Sequence, residues 1–238
     1  MRPKLVLFGD SITEESFGEG GWGASLVHLF ARKADVILRG YSGYNTRWAL
    51  KILDKTMNGI GGDSDAPVAV TVFFGANDAS LPDQKSGFQH VPLDEYKENL
   101  RSIHAYFKKK WPSTTVIFIA PPPIDEEGRI KDLCGDDPSG QAERTNEAAG
   151  EFAKGCITVA KELNLPVIDT WSKMQEIPDW RKSTLRDGLH FTPLGNKVLF
   201  DEVVKTLKDV GLSEEKLVTD QPYYYEVDFK DPSKTFGN

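Results

Sequence analysis

Short apolar runs rich in β-branched residues alternate with longer amphipathic segments, and this alternation restricts the fold of the chain more than any other feature. Apolar runs of this kind are typical of strands in a parallel sheet that is covered on both faces. The predicted strands are Lys4–Phe8, Val36–Leu38, Val68–Phe74, Thr115–Ala120 and Val167–Asp169.

The segments between these runs have the spacing of amphipathic helices. In Leu93–Lys110, for example, Tyr96, Leu100, Ile103 and Phe107 fall on one helical stripe. The predicted helices are Trp22–Lys33, Leu93–Lys110, Ala142–Leu163 and Pro193–Val210. Strict alternation of strand and helix predicts an α/β fold, with right-handed crossovers and helices on both faces of a parallel sheet.

Size and charge exclude several classes of protein. A chain of 238 residues can bury a large core without disulfides, and Cys134 and Cys156 can form at most one bridge. The net charge of −7 argues against binding to nucleic acid, which needs a basic face. Without a signal-peptide core or a long apolar run, we expect a cytoplasmic protein that does not associate with membranes.

The composition changes near the end of the chain. We interpret residues 1–212 as one domain and residues 213–238 as an aromatic and acidic extension that is not a separate domain. Tyr223, Tyr224, Tyr225 and Phe229 lie in this extension. Because disordered segments are poor in aromatic residues, we expect the extension to pack on the domain or on a neighbouring chain.

A serine follows the first predicted strand, in the segment Gly9-Asp10-Ser11. A glycine permits a tight turn at a strand end, and such a turn is a suitable place for a nucleophile. The same tripeptide also occurs in ordinary turns. Ser11 is therefore a candidate nucleophile that needs a base.

The candidate base is His190, which lies three residues after Asp187. This spacing lets a carboxylate hold one imidazole nitrogen while the other stays free, as in a Ser-His-Asp triad. The other histidines, His28, His90 and His104, have no such partner and are interpreted as packing or surface residues.

Two further strand ends carry groups that can stabilise an oxyanion. Asn77 follows the third predicted strand, and its amide N–H can face a developing negative charge. A loop with glycines follows the second strand, and there Gly43 can offer a backbone N–H. Each residue can also simply shape a turn, but the carboxyl ends of parallel strands are where open α/β sheets bind ligands.

Taken together, these segments resemble the SGNH (GDSL-type) hydrolase superfamily. Its four sequence blocks are matched by Gly9-Asp10-Ser11, Gly43, Gly75-x-Asn77-Asp78 and Asp187-x-x-His190, so the resemblance covers residues 4 to about 210. The stretches Ser42–Trp48 and Pro121–Pro123 resemble more narrowly the isoamyl acetate-hydrolysing esterase branch and its plant relatives. Arg39 stands where many members have an asparagine, which leaves Gly40 as an alternative to the favoured Gly43.

The resemblance implies a flavodoxin-like, three-layer αβα sandwich over a five-stranded parallel sheet. It implies catalysis by Ser11, His190 and Asp187, with an oxyanion hole formed by the N–H groups of Ser11 and Gly43 and the side chain of Asn77. It implies no metal and no organic cofactor. It also suggests that the aromatic extension is the arm of a homodimer.

The expected reaction is hydrolysis of small-molecule carboxylic esters, with acetyl esters preferred. Apolar residues near the site in sequence are expected to line a compact substrate pocket, namely Trp22, Trp48, Ile124, Met174 and Leu189. Acetylated sugars are alternative substrates, because the blocks specify the ester chemistry and not the alcohol. A catalytically silent module that binds glycans is the alternative outside enzymes.

Two other interpretations fit the sequence less well. Gly18–Gly23 has the spacing of a dinucleotide-binding loop but does not follow its strand directly. An α/β-hydrolase is excluded because its nucleophile lies in a G-x-S-x-G turn on a later strand. Asp169 is a candidate substitute acid, although a helix N-cap is the stronger interpretation.

Overall fold

The centre of the molecule is a sheet of five parallel strands. A computed structural model describes residues 2–62, 64–135 and 140–237. The strands are β1 (Lys4–Gly9), β2 (Asp35–Gly40), β3 (Ala69–Phe73), β4 (Thr115–Ile119) and β5 (Val167–Ile168). Their order is β2-β1-β3-β4-β5, and each neighbouring pair is parallel. All five predicted strands are therefore present at the predicted places.

Helices surround this sheet throughout the part of the chain that the structure describes. They are α1 (Ser11–Glu14), α2 (Trp22–Leu29), α3 (Thr46–Met57), α4 (Leu93–Lys110), α5 (Glu126–Cys134), α6 (Asn146–Glu162), α7 (Thr170–Gln175), α8 (Trp180–Thr184), α9 (Pro193–Asp209) and α10 (Ser233–Phe236). Within residues 2–62, 64–135 and 140–237, no helix combines the length and the apolar content that a bilayer crossing requires.

Alternate residues of β1 belong to two different cores. Val6 and Phe8 pack in a cluster that α3, α4 and α6 complete, whereas Leu5 and Leu7 pack in a cluster with α2 and α9. Side chains alternate across a strand, so an apolar run such as β1 must be covered on both sides. The two cores confirm the predicted three-layer α/β sandwich.

The helices differ from the prediction in several places. α2 ends at Leu29, four residues before the predicted end at Lys33. α3 is absent from the predicted helices, although Ala49, Leu53 and Met57 follow one another at intervals of four and are all buried. The helix predicted to begin at Ala142 begins instead at Asn146, because the side chain of Thr145 caps it by accepting the N–H of Ala148 at 3.1 Å. Residues 142–145 are therefore free to make other contacts.

The extension after residue 212 is attached to the body at its beginning. Asp220 pairs with Arg2 at 2.6 Å, and the guanidinium of Arg32 lies 4.5 Å from the ring centre of Tyr223. Farther along, Tyr224 and Phe229 are each 77% exposed. The first part of the extension thus packs on the domain as expected, while these later aromatic side chains face solvent.

Candidate active site

The chain turns sharply at the end of β1 and places Ser11 at the start of α1. A side chain at Gly9 would put its Cβ 2.6 Å from the carbonyl oxygen of Phe73, so the turn needs glycine. Asp10 caps the helix, and its Oδ1 accepts the N–H of Ile12 at 3.1 Å. Because the first N–H groups of a helix have no acceptor within it, the N–H of Ser11 can bind an anion.

Asp187 and His190 lie on one tight loop between α8 and α9. The Nδ1 atom of His190 is 2.6 Å from Oδ2 of Asp187. The other carboxylate oxygen, Oδ1, accepts the backbone N–H groups of Leu189 at 3.0 Å and His190 at 2.7 Å. Gly188 has a φ of +82°, a conformation that other residues rarely adopt. The loop therefore fixes the imidazole ring through its Nδ1 side.

The free nitrogen of this imidazole reaches the serine. Nε2 of His190 lies 3.0 Å from Oγ of Ser11, within the range expected for a nucleophile and its base. Burial alone would raise the pKa of Asp187, but hydrogen bonds from His190 and Leu189, and the positive charge that His190 carries when it is protonated, hold that pKa well below its usual range. A charged carboxylate, an imidazole and a hydroxyl thus form one hydrogen-bonded line.

Two candidate donors follow the ends of β3 and β2, the strands on either side of β1. The amide nitrogen of Asn77 donates to the carbonyl oxygen of Tyr44 at 2.9 Å, which leaves its second hydrogen for another acceptor. Gly43 has a φ of +77°, and its N–H donates to none of the other residues that the structure describes. The arrangement can stabilise negative charge beside Ser11.

Gly40, the alternative to Gly43, has a different structural reason to be glycine. It ends β2, and a Cβ there would lie 2.1 Å from the backbone nitrogen of Glu14 in α1. This close approach lets α1 pack directly on the sheet. The geometry therefore favours Gly43 as the backbone donor.

Comparison with known proteins now identifies the family. The family model for GDSL-like lipases and acylhydrolases matches residues 5–203. The chain belongs to this family.

Members with curated names are similar over most of this GDSL-family chain. A GDSL esterase/lipase of Arabidopsis thaliana is 58% identical over 237 residues, which cover 99% of this chain and 98% of that protein. The isoamyl acetate-hydrolyzing esterase 1 homolog of Homo sapiens is 46% identical over 206 residues, covering 84% of this chain and 79% of that protein. The crystal structure of a lipase/acylhydrolase from Enterococcus faecalis superimposes with a TM-score of 0.67 at 28% identity, covering 93% of this chain and 100% of that one. The protein is a carboxylic ester hydrolase.

Two buried carboxyl groups flank the active site of this esterase. Asp10 is 1% exposed, and Asp78, whose carboxylate accepts the backbone N–H of Thr46 at 3.0 Å, is 0% exposed. Burial raises the pKa of each acid from 3.8 to about 7. Because folding raises each pKa, these two acids make the folded state progressively less stable relative to the unfolded state as the pH rises from 3.8 to about 7.

Four of the five residues predicted to line a substrate pocket lie in the core instead. Trp22 and Met174 are 0% exposed, and Ile124 and Leu189 are 1% and 4% exposed. All four pack in the cluster between the sheet, α2 and α9, so they present almost no surface to a substrate. Only Trp48 is partly exposed, and its ring stacks on that of Phe88 at 6.4 Å.

Trp22 contacts the helix that begins at Ser11. Its indole nitrogen donates to the carbonyl oxygen of Ile12 at 3.1 Å. We expect Trp22→Ala to lower the free energy of unfolding by about 3–5 kcal/mol, because it leaves a large cavity and removes this hydrogen bond. Urea unfolding measures the change, and Phe229→Ala, at a side chain 77% exposed, is the control with a change within about 0.5 kcal/mol. A loss below about 1 kcal/mol for Trp22→Ala would contradict this placement.

The other candidate acid is a helix cap, as the sequence indicates. Oδ1 of Asp169 accepts the N–H of Ser172 at 3.0 Å in the first turn of α7. Asp169 therefore caps a helix, whereas Asp187 contacts the imidazole of His190 directly.

A group of buried polar residues beside the site is absent from the predicted site residues. Arg144 contacts Asn77, and Arg129 contacts Asp187, while Glu143 contacts both arginines. Gln89 joins the group through Arg144. No spacing in the sequence links Gln89, Arg129 and the pair Glu143-Arg144, because Arg129 lies on α5 and the others come from two different connections. The one available signal is the pair Glu143-Arg144 directly before the capping residue Thr145.

Proposed function

We propose that this esterase hydrolyses short-chain carboxylic esters, acetyl esters above all, through an acyl-enzyme at Ser11. The observation that carries the proposal is the hydrogen-bonded line in which Ser11 Oγ is 3.0 Å from His190 Nε2 and His190 Nδ1 is 2.6 Å from Asp187 Oδ2. Such a line activates a serine hydroxyl and needs no other group to do so.

The reaction proceeds in two similar halves. His190 takes the proton of Ser11 as the oxygen attacks the ester carbonyl, and the oxyanion that forms accepts hydrogen bonds from the N–H groups of Ser11 and Gly43 and from Asn77. His190 then gives the proton to the departing alkoxide, which leaves an acyl group on Ser11. Water attacks this acyl group with His190 again as the base, and free serine and the carboxylic acid result.

Two observations support a short acyl group. Four of the side chains predicted to line the pocket, Trp22, Ile124, Met174 and Leu189, are packed in the core, so these four do not line a channel for a long chain. In addition, the human relative, 46% identical, is named for the hydrolysis of isoamyl acetate. An acetyl group needs little more room than the attacked carbonyl itself.

The acyl preference is tested with p-nitrophenyl esters from acetyl to palmitoyl. We expect kcat/KM for the octanoyl ester to be about tenfold or more below that for acetyl, because a long chain without a pocket gains no binding energy and has to displace packed side chains in the transition state. The Ser11→Ala protein supplies the background rate for every ester. A value that rises steadily with chain length would overturn the proposed acyl preference. Binding of acetylated sugars without turnover would instead support a silent binding module.

A further inference from the structure

Arg144 is a buried arginine that contacts Asn77, one of the candidate oxyanion donors. Its side chain is 4% exposed. Arg144 lies in the loop directly before α6, where the sequence predicts helix. The Nε atom donates to the carbonyl oxygen of Ala76 at 3.0 Å, and Nη2 donates to the side-chain oxygen of Asn77 at 3.0 Å. These bonds fix the orientation of the Asn77 amide, because only its oxygen can accept from a guanidinium. Its NH₂ group must then face the other way.

The same guanidinium reaches the glycine donor through one intermediate residue. Nη2 of Arg144 also donates to Oε1 of Gln89 at 2.8 Å. The amide nitrogen of Gln89 then donates to the carbonyl oxygen of Gly43 at 2.9 Å. Arg144 therefore orients Asn77 directly and restrains the Gly43 loop through Gln89.

A buried carboxylate connects this arrangement to the triad. Oε1 of Glu143 accepts from Nη1 of Arg144, and it also accepts from Nη2 of Arg129 at 2.8 Å. Nη1 of Arg129 donates to the carbonyl oxygen of Asp187 at 3.3 Å and lies 3.5 Å from its carboxylate. The two buried arginines are thus paired with the carboxylates of Glu143 and Asp187, as burial requires, and the more exposed Asp132 also pairs with Arg129 at 3.3 Å.

We propose that Arg144 is a positioning residue that orients both oxyanion donors other than Ser11, and that Glu143 and Arg129 connect it to the triad acid. This inference rests on the proposed acyl-transfer function. Preorganised donors stabilise an oxyanion because they need not reorient as charge develops. Loss of Arg144 therefore raises the energy of the transition state more than that of the bound ester.

The shape of the guanidinium matters as well as its charge. The planar guanidinium of Arg144 donates hydrogen bonds to four residues at once, namely Ala76, Asn77, Gln89 and Glu143. A lysine ammonium keeps the charge but cannot reproduce this fork of donors. Lysine at this position is therefore expected to leave the amides of Asn77 and Gln89 free to rotate.

The test compares Arg144→Lys with Arg101→Lys in the full chain. Arg101 is an arginine of α4 that pairs with Glu162 at 2.6 Å far from the proposed machinery. We expect Arg144→Lys to lower kcat for p-nitrophenyl acetate about 10²-fold, with KM changed less than about threefold. Inhibition by n-butylboronic acid, which forms a tetrahedral adduct on serine, should weaken by a similar factor. Arg101→Lys should leave all three quantities near wild type.

A double-mutant cycle separates positioning from a general structural role. In the wild-type background, Asn77→Ala is expected to lower kcat about 10²–10³-fold. In the Arg144→Lys background the same change should cost about tenfold or less, because the amide is already misoriented. If the fold losses in kcat from the two single changes multiply in the double variant, the proposal is overturned. A wild-type kcat and boronate affinity in Arg144→Lys would also overturn it.

Gln89→Met is a second variant that tests the same proposal if the Arg144 variants fail to fold. This change removes the bond to Gly43 and the bond from Arg144 to Gln89, but it keeps the Arg144 side chain and its bond to Asn77. We therefore expect kcat to fall about tenfold or more. An unchanged kcat would overturn the proposal. Equal turnover by the wild type and Ser11→Ala would instead reject the proposed function itself. Turnover that depends on Ser11 but not on Arg144 or Gln89 rejects only the positioning role.

Discussion

Replacing Ser11 with alanine is expected to lower kcat for p-nitrophenyl acetate by about 10⁶-fold. The change removes the only nucleophile in the hydrogen-bonded line of the described structure, and the imidazole 3.0 Å away then has no hydroxyl to activate. Any remaining catalysis should come from the oxyanion donors and from binding alone. A spectrophotometric assay with stopped-flow detection for the wild type covers this range.

Ser25→Ala is the matched control for this change. Ser25 lies on α2, where its hydroxyl donates to the carbonyl oxygen of Gly21 at 3.0 Å and takes no part in the site. It should keep the wild-type kcat. Thermal unfolding of both variants checks that the fold is intact. A Ser11→Ala protein that is folded and retains more than about one hundredth of the wild-type kcat would rule out Ser11 as the nucleophile.

Asp187→Asn has the second largest expected effect, a loss of about 10⁴-fold in kcat. An asparagine keeps the size of the side chain but cannot hold the proton on Nδ1 of His190 or balance the imidazolium that forms. The assay is the same as for Ser11, and the control is Asp169→Asn, at the carboxylate that caps α7. Equal losses in the two variants would argue against a special role for Asp187.

The same variant has an expected signature in stability against pH. Since the folded pKa of Asp187 lies below the unfolded value of 3.8, its charge stabilises the folded state above pH 3.8 and this contribution is lost as the pH falls through the folded pKa. We therefore expect any stability advantage of the wild type over Asp187→Asn to shrink as the pH falls below about 4. Urea unfolding at pH 7 and near pH 3 measures it.

The fold could be predicted largely because buried parallel strands leave a strong signal. β3, for example, is buried at every position and contains only apolar residues and one threonine. Leu93–Lys110 appears in the structure with the predicted bounds, since its apolar stripe is long and regular. The same reasoning could have predicted α3, because its buried apolar residues Ala49, Leu53 and Met57 recur every four positions after the capping residue Asn45.

The triad and the pocket show why some site residues are easier to predict than others. Asp187 and His190 interact within one loop, so their spacing carries the geometry. Trp22 and Leu189 are close to site residues in sequence, but neighbouring side chains point in different directions, and these two point into the core. Closeness along the chain therefore predicts an interaction only where a tight turn brings both side chains to the same side.

The buried network of Glu143 and Arg144 could not be predicted because the start of one helix was predicted four residues too early. A helix that begins at Ala142 would place Glu143 and Arg144 on its surface, where a charged pair needs no explanation. The cap at Thr145 delays the helix to Asn146 and lets both side chains turn inward to the ends of the strands. Boundaries of this kind depend on a few hydrogen bonds, and contacts with Asn77 and Gln89 help to decide this one.

Mass spectrometry of the intact protein tests the central claim most directly. The wild type is mixed with p-nitrophenyl acetate and stopped with acid within milliseconds, and the modified residue is then located by peptide mapping. We predict a population heavier by one acetyl group on the peptide that contains Ser11, and no such population in Ser11→Ala. Turnover at the wild-type rate with no acyl group on Ser11, or with the acyl group on another residue, would contradict the account.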